Sequence, residues 1–375
     1  MDLTSEDYRE TAPLIQVEKF LKIRILHLSD LKEVSMLGNG SYGRVDLVQV
    51  KDDPKQLFAL KHIKKRPVDK NQHKKLRQEK NIMSGVKCNF VVKMLKMFEN
   101  DDSVSLLMEC CLGGSLSSAL PKKGFDTAAV TFFTACMVEA LVYLHSHNIV
   151  HRDLKPGNAV LDQQGYLKLC DFGCAQQLTA NIKTWTMCGT PDYMAPEVIM
   201  NLGHDFSVDY WSLGIFIYEC ATGAPPYKSN DIMKIFKQAI AGIKTVQFQK
   251  SLTPTIVDLV TSLCASVPEK RLGYRSRGRE IRHHKLFERF DWKGLAAGTV
   301  KPPFVPGVHF PVIRKIQEGV ADFPTNFLIM QMKKCQITIV WLSKLRSTSK
   351  KSRDPRVHLD IWDDACKTEV SCILL

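Results

Sequence analysis

The stretch Gly38-Asn39-Gly40-Ser41-Tyr42-Gly43-Arg44-Val45 decides how this chain is read. It stands between two segments of strand character, Leu31-Lys32-Glu33-Val34-Ser35-Met36-Leu37 before it and Arg44-Val45-Asp46-Leu47-Val48 after it. A glycine run that opens a helix would suit a dinucleotide, and this one opens a strand, so that reading loses. Glycines here let the backbone come close to nucleotide phosphates with amides free to bind them. Taken alone, the pattern is equally satisfied by a plain hairpin turn.

Residues further on narrow the choice. Lys61 falls 18 positions after Gly43 on the next strand-like run, Leu57-Phe58-Ala59-Leu60-Lys61, where its ammonium can reach phosphate oxygens. Glu79 falls 18 positions after Lys61, on a helix expected over Lys74 to Val86 and interrupted late by Gly85. A lysine on a strand facing a glutamate on a packed helix forms an ion pair that fixes the lysine. Either residue by itself would be an ordinary surface charge.

His151-Arg152-Asp153-Leu154-Lys155-Pro156-Gly157-Asn158 follows a helical segment over Thr127 to His147. In it, Asp153 can accept the proton of a substrate hydroxyl, Lys155 can neutralise a transferring phosphoryl group, and Asn158 offers an amide oxygen to a metal. Asp171-Phe172-Gly173, after the strand-like Leu167-Lys168-Leu169-Cys170, supplies the main carboxylate for an octahedral Mg²⁺ completed by phosphate and water oxygens. Lys61, Glu79, Asp153, Asn158 and Asp171 in this order describe phosphoryl transfer from ATP with Mg²⁺. Asp209 opens an apolar helix and is expected to brace the loop at Asp153; Arg271 is expected to pair with Glu197.

The composition agrees with a globular chain of 375 residues, 45% hydrophobic and 24% charged. No stretch reaches the roughly 18 to 20 uncharged apolar residues of a membrane span, and the acidic start Met1-Asp2-Leu3-Thr4-Ser5-Glu6-Asp7 is unlike a signal peptide. The 12 cysteines show no metal-binding spacing and read as reduced thiols of a cytoplasmic protein. The net charge of +13 raises nucleic acid as a partner, but no aromatic-basic interleaving supports it, so none is expected.

With these motifs in place, residues 31 to about 311 resemble the catalytic domain of AGC-group serine/threonine protein kinases, and among them the cGMP-dependent protein kinases. The resemblance is carried by Lys183-Thr184-Trp185-Thr186-Met187-Cys188-Gly189-Thr190-Pro191-Asp192-Tyr193, by Gly203-His204-Asp205-Phe206-Ser207-Val208-Asp209-Tyr210-Trp211-Ser212, and by Cys111-Leu112-Gly113-Gly114 and Lys270-Arg271-Leu272-Gly273. It implies an α+β, bilobal fold with a small β-rich lobe over about 31–109 and a larger helical lobe over about 113–290, after a leader at 1–26. It implies ATP contacts along Leu37 to Val45 (Gly38, Asn39, Gly40, Ser41, Tyr42, Gly43 and Arg44 between them), with Ala59 and Val160 around adenine and a hinge at Glu109 to Leu112. Thr186 becomes the activation-loop phosphosite, where a phosphate can pair with Arg152, and Thr190 a neighbour of Asp153 in the substrate site. Cys188 reads as a packing residue.

Three departures from the family pattern shape the expectations. Relatives carry tandem cyclic-nucleotide-binding domains before the kinase domain; the first 30 residues here have no room for them, so cGMP is not expected to bind this chain. Relatives that prefer arginine before the acceptor carry Glu where this chain has Ser115 and Gly157, while Glu219 remains at a third matching position. Losing two carboxylates that pair bidentately with arginine weakens a basic-substrate preference. Residues 312–375 form a divergent basic tail. Its end, Cys372-Ile373-Leu374-Leu375, fits a prenylation signal at Cys372 behind the basic stretch Lys344 to Arg356, which would bring the protein to a membrane surface.

Overall fold

The computed structural model describes residues 25–40, 43–65, 70–179 and 182–306, together with Ile23. Most of the leader, Ser41, Tyr42 and the tail from 307 onward with Cys372 lie outside the described residues. The chain divides into two compact units, Met1–Lys87 with Val92–Cys111, and Cys88–Val91 with Leu112–Leu375.

The first unit is built on a five-stranded antiparallel sheet in the order β1-β2-β3-β5-β4. Its strands are β1 (Leu31–Gly40), β2 (Gly43–Val50), β3 (Asp53–Lys64), β4 (Met94–Glu99) and β5 (Ser103–Glu109). The glycine stretch spans the join of the first hairpin, where Gly40, the end of β1, pairs with Gly43, the start of β2. Gly43 has φ +149, and a Cβ there would lie 2.0 Å from the His62 carbonyl oxygen, so only glycine lets β2 lie this close to β3. Cross-strand partners Val45↔Lys61 and Leu47↔Ala59 share one face of the sheet. Arg44↔His62, Asp46↔Leu60 and Val48↔Phe58 share the other, where Val48, Phe58 and Leu60 pack with Ile23, Leu26 and Leu107 into a core. Helix α1 spans Lys70–Gly85, starting four residues before the expected Lys74 and ending on Gly85. The glycine therefore stops the helix instead of interrupting it.

The second unit is mainly helical, around α2 (Thr127–Ser146), α3 (Ser207–Thr222), α4 (Ile232–Ala241) and α5 (Pro254–Leu263). Asp126 caps α2 by accepting the Ala129 amide at 2.8 Å, and Thr253 does the same for α5 through the Ile256 amide. Helix α2 is long and apolar enough to cross a membrane, yet it is mostly buried within the protein and carries Glu139 at its middle. Phe132, Phe133, Tyr210, Trp211 and Phe216 are fully buried on α2 and α3. Short strands complete the unit: β6 (Gly114–Ser115), β7 (Ile149–Val150), β8 (Ala159–Leu161), β9 (Leu167–Leu169) and β10 (Gln176–Gln177).

Arg271 meets Glu197 through two parallel contacts, Nη1–Oε1 at 2.6 Å and Nη2–Oε2 at 2.7 Å. Its Nε and second Nη1 hydrogen go to the Ala265 and Ser207 carbonyls, and its guanidinium lies over Trp211 at 5.3 Å. Both side chains are buried, so neither charge has water to fall back on. Arg271→Met should therefore leave Glu197 uncompensated and cost about 3–5 kcal/mol in urea unfolding. A loss under about 1 kcal/mol would mean that water reaches Glu197 once the arginine is gone.

Candidate active site

In the first unit, Lys61 Nζ donates to Glu79 Oε1 at 2.7 Å, and both residues are buried. The strand presents Lys61 on the face it shares with Val45 and Ala59, so α1 need only bring one carboxylate to that face. Leu37, Gly38, Asn39 and Gly40 close β1, and Gly43, Arg44 and Val45 open β2. Glu109, the last residue of β5, turns its Oε1 onto the Lys93 amide at 2.8 Å, which ties the end of this strand to the start of β4.

In the second unit, a web of short bonds converges on Asp153. Its Oδ2 accepts from Lys155 Nζ at 2.9 Å and Asn158 Nδ2 at 2.8 Å; its Oδ1 accepts from Thr190 Oγ1 at 2.6 Å. Lys155 Nζ also reaches Thr190 Oγ1 at 2.5 Å. A carboxylate, a lysine, an amide and a hydroxyl 37 positions away in sequence thus form one cluster. Asn158 also donates to the Asp153 carbonyl at 2.8 Å, which commits its amide hydrogens and leaves its oxygen as the acceptor end.

The backbone beneath this cluster is held in unusual conformations. Arg152 and Asp171 both have left-handed backbone, φ 68 and φ 63, which for non-glycine residues costs on the order of 1–3 kcal/mol each. Asp209, fully buried on α3, offsets part of this. Its Oδ2 accepts the His151 amide at 2.8 Å and its Oδ1 the Arg152 amide at 2.7 Å. His145, at the end of α2, adds a third bond from Nε2 at 2.8 Å and bonds Tyr210 Oη through Nδ1. Nothing in the sequence singles out His145, because a histidine on an apolar helix reads as an ordinary core residue. Gly189 brings the segment carrying Thr186 and Thr190 against this loop: a Cβ there would lie 2.6 Å from the Arg152 carbonyl oxygen.

Glu219 is engaged by a partner that the sequence reading missed. The Tyr193 hydroxyl donates to Glu219 Oε2, while burial raises the Glu219 carboxyl above its ordinary range. Ser115 caps the short helix Leu116–Ala119 by accepting the Ser118 amide at 3.2 Å. Gly157 is exposed, and a Cβ there would meet only the Lys155 side chain, at 3.7 Å and beyond. Thr186 is half-buried, and Arg152 spends its Nε on the Cys174 carbonyl at 2.7 Å. Val160 lies on β8, half-buried.

The profile of the protein kinase domain family matches residues 31–287. Among curated proteins, the chain is 46% identical over 290 residues to a cGMP-dependent protein kinase, isozyme 2, of Drosophila melanogaster, covering 76% of this chain and 31% of the relative. It is 44% identical to the cGMP-dependent protein kinase egl-4 of Caenorhabditis elegans, over 76% of this chain and 37% of the relative. It is 43% identical to human cGMP-dependent protein kinase 2, over 76% and 37%. The chain thus spans about a third of the length of these relatives.

Beside the Asp153 cluster, His204 exchanges backbone hydrogen bonds with Thr184 at 2.8 and 2.9 Å, and its buried Nε2 has no hydrogen-bond partner among the described residues. Burial, with the nearby Arg152 charge, lowers its pKa from 6.5 to about 4. His204 is therefore neutral when folded, while the unfolded chain takes up a proton below its own pKa. Stability should fall as pH drops from 6.5 through about 4. Between pH 7 and pH 5 that amounts to about 2 kcal/mol. Urea unfolding of the wild type and His204→Gln at the two pH values checks this: the wild type should lose more than the variant, and equal losses would refute it.

Proposed function

The chain belongs to the protein kinase family, and from that premise we propose that it transfers the γ-phosphate of ATP to serine and threonine hydroxyls of protein substrates. The Asp153 cluster is the observation that carries this reading. Asp153, held by Lys155, Asn158 and Thr190, is placed to receive the proton of a hydroxyl nucleophile and align its oxygen. Lys155 balances negative charge that grows on the phosphoryl group as the bond to ADP lengthens. Lys61, steadied by Glu79, supplies a cation to the nucleotide phosphates, and Val45 and Ala59, on the same face of the sheet, offer apolar surface to the adenine.

A divalent cation fits the remaining donors. Asp171 contributes a carboxylate and Asn158 the oxygen end of an amide whose hydrogens are committed elsewhere, a hard-oxygen set suited to Mg²⁺. When bound, Mg²⁺ screens the charge between phosphate groups. Phosphorylation of Thr186 would add roughly two negative charges two residues beyond Thr184, whose hydroxyl Arg152 Nη1 reaches at 3.4 Å, and favour the ordered arrangement of the segment.

Asp171→Ala and Asp153→Asn should each lower transfer of γ-phosphate to a degenerate Ser/Thr peptide mixture by at least about a hundredfold, with folding intact by circular dichroism. Absence of transfer by wild-type protein, including material phosphorylated at Thr186, would overturn the kinase reading.

Substrate choice is proposed to be relaxed toward arginine upstream of the acceptor, because Ser115 and Gly157 present no carboxylate. The open space at Gly157 makes this testable by gain. Gly157→Glu should raise the preference for upstream arginine by about tenfold, the equivalent of one charge-assisted hydrogen bond. A wild-type peptide profile already dominated by arginine would show that other residues supply the selectivity.

A further inference from the structure

We infer that the outer face of the first unit's sheet, opposite the face bearing Lys61, holds a zinc-binding site made by Glu33, Asp46 and His62. These residues come from β1, β2 and β3, three neighbouring strands. His62 Nε2 lies 3.8 Å from Asp46 Oδ2 and 3.9 Å from Glu33 Oε1. The three ligand atoms lie within 4.8 Å of one another, which no other set of three His, Cys, Asp or Glu does among the described residues. In a tetrahedral zinc sphere, nitrogen and oxygen ligands stand roughly 3.4 Å apart. The two spacings from His62 need a contraction of about half an ångström and the one between the two carboxylate oxygens at most about 1.4 Å, which the exposed Glu33 side chain can supply.

Two atoms of this group are in an otherwise costly state. Asp46 is completely buried, and its Oδ2 has no hydrogen-bond partner among the described residues. His62 Nε2 is also buried without one. A buried carboxylate oxygen and a buried imidazole nitrogen that face each other beyond hydrogen-bonding distance both lack a partner that one cation would supply.

The remaining polar atoms of all three residues are already occupied, in the manner of a metal centre's supporting shell. Arg44 Nε holds Asp46 Oδ1 at 2.6 Å, and Arg44 Nη2 holds Glu33 Oε2 at 3.2 Å. Ser105 Oγ, on β5, bonds His62 Nδ1 at 3.0 Å. If Nδ1 donates to the serine, Nε2 carries the lone pair and faces the two remaining carboxylate oxygens. One imidazole with two carboxylates is a borderline donor set that suits Zn²⁺ better than Mg²⁺ or Ca²⁺, which prefer oxygens alone. Exposed Glu33 leaves the outer side open for water as the fourth ligand.

The test uses the full chain. Calorimetric titration with Zn²⁺ should show one saturable site with a dissociation constant in the micromolar range. Glu33→Gln, at an exposed position, and His62→Gln should each weaken it at least about tenfold. Replacing zinc with Co²⁺ should give the visible spectrum of a four-coordinate site without a thiolate charge-transfer band, which separates this site from the chain's cysteines. Excess Mg²⁺ should not displace the metal. Absence of saturable binding, affinity unchanged in both variants, or a thiolate band that persists in them would overturn the assignment.

Discussion

The Asp209 carboxylate is the constraint on which the second unit's chemistry depends. It sits on α3 with no exposed surface and receives three hydrogen bonds, from the His151 and Arg152 amides and from His145. Burial acts to raise its pKa, and the bonds from His145 and the loop outweigh it, so the group stays ionised below the ordinary carboxylate range. A left-handed Arg152 would otherwise relax toward commoner backbone angles and carry Asp153 with it. The acid on which the proposed proton transfer turns is thus placed by a second acid that never meets the reactants.

Two buried ion pairs show how side-chain geometry sorts by role. Arg271 meets Glu197 with a planar fork, and two further donors are bonded to carbonyls, which fixes its plane. Lys61 meets Glu79 through an ammonium, a point charge with three donors on a flexible stem. Structural anchoring suits the first; the proposed sharing of charge between a glutamate and a nucleotide suits the second.

Much of the site was legible in the sequence because its parts are local. The glycine stretch, the run from His151 to Asn158 and Asp171-Phe172-Gly173 each place their groups within a few residues of backbone, so spacing carries the geometry. The Lys61–Glu79 and Arg271–Glu197 pairs also form as the spacing and resemblance indicated. What could not be read were contacts made only by packing distant helices. The bond from His145 to Asp209 spans 64 positions and that from Tyr193 to Glu219 spans 26, and neither has a local pattern. The early start of α1 escaped for a related reason: Lys70 to His73 are polar, and hydrophobic periodicity is silent where a helix turns no apolar side chain inward.

The alternation of β3 also separates two chemistries by one residue. Lys61 and His62 are consecutive, so a strand must send their side chains to opposite faces. The proposed phosphate-directed cation and the proposed zinc ligand then share a backbone but no solvent. The glycine turn closes on that same backbone, since Gly43 can approach β3 only because no Cβ meets the His62 carbonyl. A force that draws Glu33, Asp46 and His62 together would tighten β1, β2 and β3 from behind without adding an atom to the face that bears Lys61. That is a mechanical connection, carried by sheet hydrogen bonds, and its strength is set by how far β1 and β2 can shift in register. Register on the outer face is pinned by Val48, Phe58 and Leu60 in the core, so the motion available is small. The sheet can therefore be stiffened from its outer face while the position of Lys61 changes little.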